Sequence, residues 1–169
     1  MRFQKKKYFT WRHNSALKFL AQTLQSIRSA ELYVDLPGYL SPCIITGDRL
    51  RPDILFSTAD NILYIIELTV GFETNLNINA SRKELKYRPL QVDLDKAYNR
   101  IKFVNLCISS LGIFGNSSDS FLQMCHDIGI DKHHLNFIVT KLSTIIIRTT
   151  YYIFCMRNKP WGQPELLNY

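Results

Sequence analysis

Two β-forming runs lie close together in residues 51–70, which read RPDILFSTADNILYIIELTV. Residues 53–57 and 62–70 are rich in Ile, Leu, Phe, Tyr and Val, the residue types typical of buried strands. The four residues that separate them, 58–61, suit a tight turn. The stretch therefore predicts a β-hairpin.

Helical spacing of apolar residues flanks this hairpin on both sides. Residues 14–29 predict an amphipathic helix that begins at Asn14 or Ser15, both favourable N-cap residues. Residues 75–87 predict a second helix, which ends before Pro89 because proline disfavours helical geometry in the residue before it.

The rest of the chain predicts shorter elements and one long helix. Residues 35–48 predict a loop or short edge strand, 101–110 a strand and 117–128 a short helix, and a long C-terminal helix occupies 131–157. The pattern predicts one α/β domain over 1–169, with a small mixed sheet flanked by helices.

The excess of basic residues is concentrated at the N-terminus. The chain has 21 Lys and Arg against 14 Asp and Glu, and residues 1–30 contain no acidic residue. We expect a basic N-terminal arm over residues 1–10. Such a segment suits nucleic acid or acidic lipid, although a solvated tail is also compatible with it.

Cysteine spacing and hydropathy limit the class of protein. The four cysteines form no Cys-x-x-Cys pair, which argues against a zinc knuckle and favours a reducing compartment, nuclear or cytoplasmic. No apolar stretch approaches the roughly 20 residues that cross a bilayer, so we expect no membrane partner.

Glu67 interrupts an otherwise apolar strand, and a buried carboxylate needs a compensating partner. A turn centred between Ala59 and Asp60 places Asp53 across from Ile66, one residue from Glu67. The two carboxylates are then neighbours.

Two interpretations of this carboxylate pair are open. Mg²⁺, which prefers oxygen ligands, would compensate both charges together. Alternatively, Asp53 caps the hairpin and Glu67 forms an ion pair with Arg51 or Lys83.

The spacing of these acids resembles a known family. Residues 51–53, thirteen intervening residues and then 67–69 are similar to the metal-binding core of the PD-(D/E)XK nuclease superfamily. That superfamily usually has lysine two residues after the second acid, where this chain has Thr69. The cation must then be absent or come from elsewhere, and Lys83 or Lys86 is a candidate.

A narrower resemblance is to the restriction-enzyme-like endonuclease domain of non-long-terminal-repeat retrotransposons. Residues 83–87 match its Lys-x-x-Lys-Tyr helix, and the resemblance includes 11–14, 35–38 and 115–117, covering roughly 10–130.

This resemblance implies a restriction-endonuclease-like core and a Mg²⁺- or Mn²⁺-dependent endonuclease that nicks DNA. It implies that Asp53, Glu67 and the backbone carbonyl of Leu68 hold the metal and that Lys83 or Lys86 supplies the ammonium group. Candidate nucleic-acid contacts are Lys5, Lys6, Lys7, Arg12, His13, Arg51, Arg82 and Tyr87.

Several roles stay open at this level. Tyr87 positions a lysine, contacts DNA or packs in the core; His13 contacts DNA or bonds to the backbone at a helix start. Glu31 and Asp35 either add a metal contact or cap the surface.

The resemblance also implies partners and leaves two alternatives. The partners are DNA and the reverse transcriptase or RNA of a parent element. One alternative is a catalytically inactive nucleic-acid-binding remnant; the other is a protein that self-associates through its C-terminal helix.

Overall fold

The computed structural model describes residues 2–47, 50–162 and 164, with side chains described from Lys7 onward. A 3₁₀ turn at Asn116–Ser118 precedes the fourth helix. The elements in chain order are α1 (Arg2–Gln25), β1 (Glu31–Val34), α2 (Cys43–Thr46), β2 (Ile54–Ser57), β3 (Ile62–Gly71), α3 (Glu73–Leu94), β4 (Arg100–Ser109), α4 (Asp119–Asp127) and α5 (Lys132–Met156).

The four strands form one mixed sheet in the order β1-β2-β3-β4. The first three pair antiparallel, and β4 runs parallel to β3 over its full length. A parallel neighbour requires a crossover connection, which α3 supplies. The predicted mixed sheet flanked by helices is confirmed, and so is the long helix near the C-terminus of the chain.

The hairpin is confirmed, but its register differs by one residue from the prediction. Thr58 N–H donates to the carbonyl of Ile62, and Asn61 adopts a left-handed φ of 58°. This is a three-residue loop closed by a left-handed residue, which is a common hairpin loop. Ile54 therefore pairs with Ile66, and Asp53 lies opposite Glu67 instead of Ile66.

Both faces of the sheet are covered, which explains why β2 is buried at all four positions. One face carries Ile54, Tyr64 and Ile66, packed with apolar residues of α1, α4 and α5. The other face carries Leu55, Leu63 and Ile65, packed against Tyr87 and Leu90 of α3. Alternation along β3 directs Glu67 to the same face as Leu63 and Ile65.

The first helix begins earlier than predicted. It starts at Arg2, so residues 2–10 are the first turns of α1 instead of a separate arm, and neither Asn14 nor Ser15 is its cap. The buried rings of Tyr8 and Trp11 extend the apolar face of the helix toward its N-terminus. The hydroxyl of Ser15 donates to the carbonyl of Trp11, a bond formed inside helices.

The crossover helix continues through Pro89, where the prediction ended it. Proline removes one helical hydrogen bond, the one that would reach the carbonyl of Leu85. Pro89 and Leu85 are both exposed, while Tyr87 and Leu90 are anchored in the core. We attribute the continuity of α3 to this packing.

The last helix lies where it was predicted. Asp131 caps it by accepting a hydrogen bond from His134 N–H, and Ile138, Leu142, Ile145 and Ile146 are buried against the rest of the chain. No helix in the described ranges is both long and apolar enough to cross a membrane.

Candidate functional site

Two carboxylates are held together at the open end of the β2–β3 hairpin. The backbone N–H of Asp53 donates to Glu67 Oε1 at 3.0 Å. In return, the backbone N–H of Leu68 donates to Asp53 Oδ2 at 2.8 Å. These reciprocal bonds fix both side chains relative to the strands that carry them.

Lys83 of α3 reaches the same point from the helix that covers this face. Its Nζ lies 2.8 Å from Glu67 Oε2 and 3.6 Å from Asp53 Oδ2. It also donates to the carbonyl oxygen of Leu68 at 2.6 Å. Three oxygen groups, from Asp53, Glu67 and Leu68, therefore surround one cationic group.

His13 of α1 approaches the pair from another element. As an imidazolium it donates from Nε2 to Asp53 Oδ2 at 3.3 Å and from Nδ1 to Asn14 Oδ1 at 3.2 Å. Neither predicted role for His13, a DNA contact or a helix-start bond to the backbone, describes this contact. The available signal was its position on the turn before Ala16 and Leu17, on the face of α1 that packs against the sheet.

Burial and charge shift the two acids in opposite directions. Burial alone would raise the pKa of Asp53, but His13, Lys83 and the N–H of Leu68 outweigh it and hold the pKa at about 2. Burial raises the pKa of Glu67, the charge of Asp53 raises it further, and Lys83 only partly offsets both. The site thus contains one strongly ionised acid and one that resists ionisation.

The two cations are shifted toward their charged forms. Burial lowers the pKa of His13 and of Lys83, but the carboxylates more than compensate, and the pKa of each is raised overall. The cluster is therefore two acids balanced by two bases, with Glu67 the most buried at 4% side-chain exposure.

The donor set fits a hard divalent cation in chemistry and in direction. Carboxylate and backbone carbonyl oxygens are the ligands that Mg²⁺ and Mn²⁺ prefer, and here they converge on the position that the Lys83 ammonium group occupies. Within residues 2–47, 50–162 and 164, no three His, Cys, Asp or Glu side chains are grouped to hold a metal. A metal would depend on Asp53, Glu67, the Leu68 carbonyl and water.

Lys86 and Tyr87, the other members of the Lys-x-x-Lys-Tyr segment, occupy different positions. Lys86 Nζ lies 3.0 Å from Tyr87 Oη, and no bond or ion pair in the described structure joins it to either carboxylate. Tyr87 is 1% exposed and its hydroxyl donates to the carbonyl of Arg51. This position matches the packing interpretation of Tyr87, which also supports the residue before Pro52. A contact of Tyr87 with DNA stays a prediction.

The surrounding acidic candidates have other partners. Asp35 forms an ion pair with Arg51, and Glu31 accepts a hydrogen bond from the hydroxyl of Tyr33. The capping interpretation of Asp35 and Glu31 matches these contacts better than a metal contact does.

A cavity of about 380 Å³ opens beside the cluster. It is lined by residues of α1, β3 and α3, including His13, Lys83, Arg82, Phe9 and Thr69. Arg82, a predicted nucleic-acid contact, is exposed at its edge. Thr69, where lysine was expected from the resemblance, also lines it.

Arg12 and Lys7, two of the remaining predicted nucleic-acid contacts, form no ion pair with the two carboxylates in the described structure. Arg12 is 5% exposed and faces a second groove beyond Phe9. Lys7 is exposed on α1, while the side chains of Lys5 and Lys6 fall outside the described residues.

No protein-family model matches this chain, and no curated protein has a significantly similar sequence.

Proposed function

We propose that this chain is a Mg²⁺- or Mn²⁺-dependent DNA endonuclease with a restriction-endonuclease-like core of the PD-(D/E)XK kind. The observation that supports this proposal is the convergence of Asp53, Glu67 and the Leu68 carbonyl on one cation position. That position lies beside a cavity that is open to solvent and whose lining includes His13, Arg82 and Lys83.

Each oxygen group has a defined task in this proposal. Asp53 and Glu67 supply the negative charge that attracts a divalent ion, and the Leu68 carbonyl adds a neutral oxygen. A bound ion would lower the pKa of a water molecule and stabilise charge on the phosphate. The His13 bond to Asp53 and the N–H of Leu68 keep that carboxylate oriented.

In this proposal the Lys83 ammonium group exchanges the carboxylates for a phosphate of the substrate. Once its ammonium group leaves the three oxygens, its flexible stem allows it to reach a phosphate in the adjoining cavity, where Arg82 also lies. Hydrolysis forms a bond from the water oxygen to phosphorus and breaks the bond to the 3′ oxygen, which takes up a proton. The products are a 3′-hydroxyl and a 5′-phosphate.

A second function, DNA binding without cleavage, is favoured by a different observation. Lys83 and His13 together already compensate the two carboxylates, so the cluster is electrically satisfied without a metal. An ion pair of this kind is how a protein that has lost catalysis would keep its fold.

The test is nicking of supercoiled plasmid by the purified protein in Mg²⁺, Mn²⁺ or EDTA. We expect nicking in either metal and none in EDTA, with Asp53→Asn and Glu67→Gln each reducing the rate at least about 100-fold. Binding to DNA in EDTA should survive both substitutions. Asp60→Asn, at the exposed turn of the same hairpin, is the matched control and should nick normally.

A folded wild-type protein that binds DNA without metal-dependent nicking would establish the binding function instead. Nicking that persists in both Asp53→Asn and Glu67→Gln would exclude this cluster as the active site.

A further inference from the structure

A second groove, which we call the aromatic groove, adjoins the cavity beside the carboxylates. Its volume is about 530 Å³, and it is lined by residues of α1, α5 and the β3–α3 junction, among them Phe9, Arg12, Phe72, Phe154 and Arg157. Phe9 and Val70 line both spaces, so the aromatic groove and the cavity are immediate neighbours.

The aromatic groove exposes large apolar rings. Phe9, Phe72 and Phe154 are 50%, 69% and 57% exposed. Their exposure is costly in water unless a ligand covers them, and planar rings stack with any nucleobase.

The charged side chains among the described residues that line the groove are all basic. None of these residues is Asp or Glu. The Arg157 guanidinium lies 4.3 Å from the centre of the Phe154 ring, and that of Arg12 lies 5.3 Å from the Phe9 ring. Each cation thus stands next to an exposed ring, as binding of a base and its phosphate requires.

Arg12 is buried, and none of the carboxylates that the structure describes pairs with it. Its Nη1 donates to the hydroxyls of Ser110 and Thr150 at 3.2 and 3.0 Å, while its buried Nε has no hydrogen-bond partner among the described residues. No carboxylate in the described part of the chain forms an ion pair with it. A buried cation that only neutral hydroxyls hold is poised for an anion.

We propose that the aromatic groove binds an unpaired nucleotide of the DNA strand being cut, with its base on Phe72 and Phe154 and its phosphate near Arg12 and Arg157. The inference rests on the proposed function for the identity of the ligand as DNA. It adds that the substrate has a single-stranded or extruded nucleotide next to the scissile phosphate, since bases paired inside a duplex cannot stack on protein rings.

Binding in EDTA tests this proposal without requiring cleavage. The probes are a fully paired 30-mer duplex and the same duplex with a three-nucleotide bulge that carries 2-aminopurine. We expect wild type to prefer the bulged duplex and to quench its fluorescence. Phe72→Ala and Phe154→Ala should each weaken binding of the bulged duplex about tenfold and leave the paired duplex unchanged.

The control is Phe137→Ala, which removes a ring that is 49% exposed on α5 outside the groove and should change neither affinity. Equal affinity of wild type for both duplexes, or an equal loss on both in the groove variants, would overturn the proposal. So would a dimer in sedimentation experiments that Phe72→Ala dissociates, since a second copy would then occupy the groove.

Failure of the groove proposal can be distinguished from failure of the endonuclease proposal. Selective binding of the bulged duplex without metal-dependent cleavage would support nucleotide binding in the groove and contradict the endonuclease proposal. Normal nicking, with no effect of Phe72→Ala or Phe154→Ala on binding, would support the endonuclease proposal and contradict nucleotide binding in the groove.

Discussion

Lys83 Nζ lies 2.8 Å from Glu67 Oε2, so a helix and the strand before it are joined by an ion pair at the point where the carboxylates converge. The same ammonium group contacts the carbonyl of Leu68. In the proposed function it therefore occupies the position that a divalent ion would take, and the two cations would compete.

This competition predicts an unusual phenotype for Lys83→Met. Removing the ammonium group leaves Asp53 and Glu67 without that counter-ion, so Mn²⁺ affinity should rise about tenfold, while nicking falls about 100-fold. Calorimetric titration with Mn²⁺ and the plasmid assay measure the two effects. Lys86→Met is the control, because Lys86 does not contact the carboxylates, and it should bind Mn²⁺ like wild type. A Lys83→Met protein that binds Mn²⁺ no better than wild type would contradict the competition.

The low pKa of Asp53, about 2, predicts how this residue affects stability across pH. An acid with a folded pKa below its ordinary value near 3.9 stabilises the fold above that value, and the contribution is lost as pH falls toward 2. In EDTA, Asp53→Asn should be less stable than wild type by roughly 2 kcal/mol at pH 7. The difference should shrink between pH 4 and pH 2. Urea unfolding at a series of pH values measures this difference in unfolding free energy. A difference that stays constant between pH 4 and pH 2 would contradict the low pKa of Asp53.

For Glu67 we expect the opposite dependence of stability on pH. Its raised pKa means that the folded state holds the proton more tightly, so its contribution is greatest below the ordinary value near 4.3 and is lost as pH rises through the folded pKa. Glu67→Gln mimics the protonated form and should melt above wild type at pH 7, since the neutral amide avoids the cost of a buried charge. Thermal unfolding in EDTA is the measurement, with Glu84→Gln, an exposed position on α3, as the control. A lower melting temperature for Glu67→Gln would show that the Lys83 ion pair outweighs the burial cost.

The basic start of α1 predicts a salt effect on DNA binding. α1 also carries Phe9 and His13, which line the cavity, so cations on its first turns are candidates for phosphate contacts. The triple variant Lys5→Gln, Lys6→Gln, Lys7→Gln should reduce the slope of log affinity against log salt by about 2–3, since each phosphate contact contributes about 0.9.

Lys96→Gln combined with Lys132→Gln removes two exposed lysines outside α1, one in the turn after α3 and one at the start of α5, and serves as the control. An unchanged slope in the triple variant would show that the lysines at the start of α1 do not contact DNA phosphates.

Local patterns predicted the elements whose residues carry their own signal. The β2–β3 hairpin, β4 and α5 lie where strand composition, turn residues and helical periodicity placed them. The pairing of Asp53 with Glu67 also follows from local spacing, apart from the one-residue shift that left-handed Asn61 introduces.

The features that the sequence did not predict depend on contacts between distant segments. The early start of α1 depends on Tyr8 and Trp11, whose rings pack near Trp161 and Tyr152 at the other end of the chain. The bond from His13 to Asp53 spans forty positions. No local pattern indicates either contact, because both arise only when α1 lies against the rest of the fold.

The direct passage from β3 into α3 constrains how this protein can change during evolution. Only Phe72 separates the end of the strand from the start of the helix, so the angular position of Lys83 is set by the count of residues from Gly71. Each inserted or deleted residue before Lys83 would rotate its ammonium group about 100° around the helix axis and carry it off the carboxylates. Length variation should therefore be excluded between Gly71 and Lys83, but tolerated after Leu94, where the chain has already left the cluster.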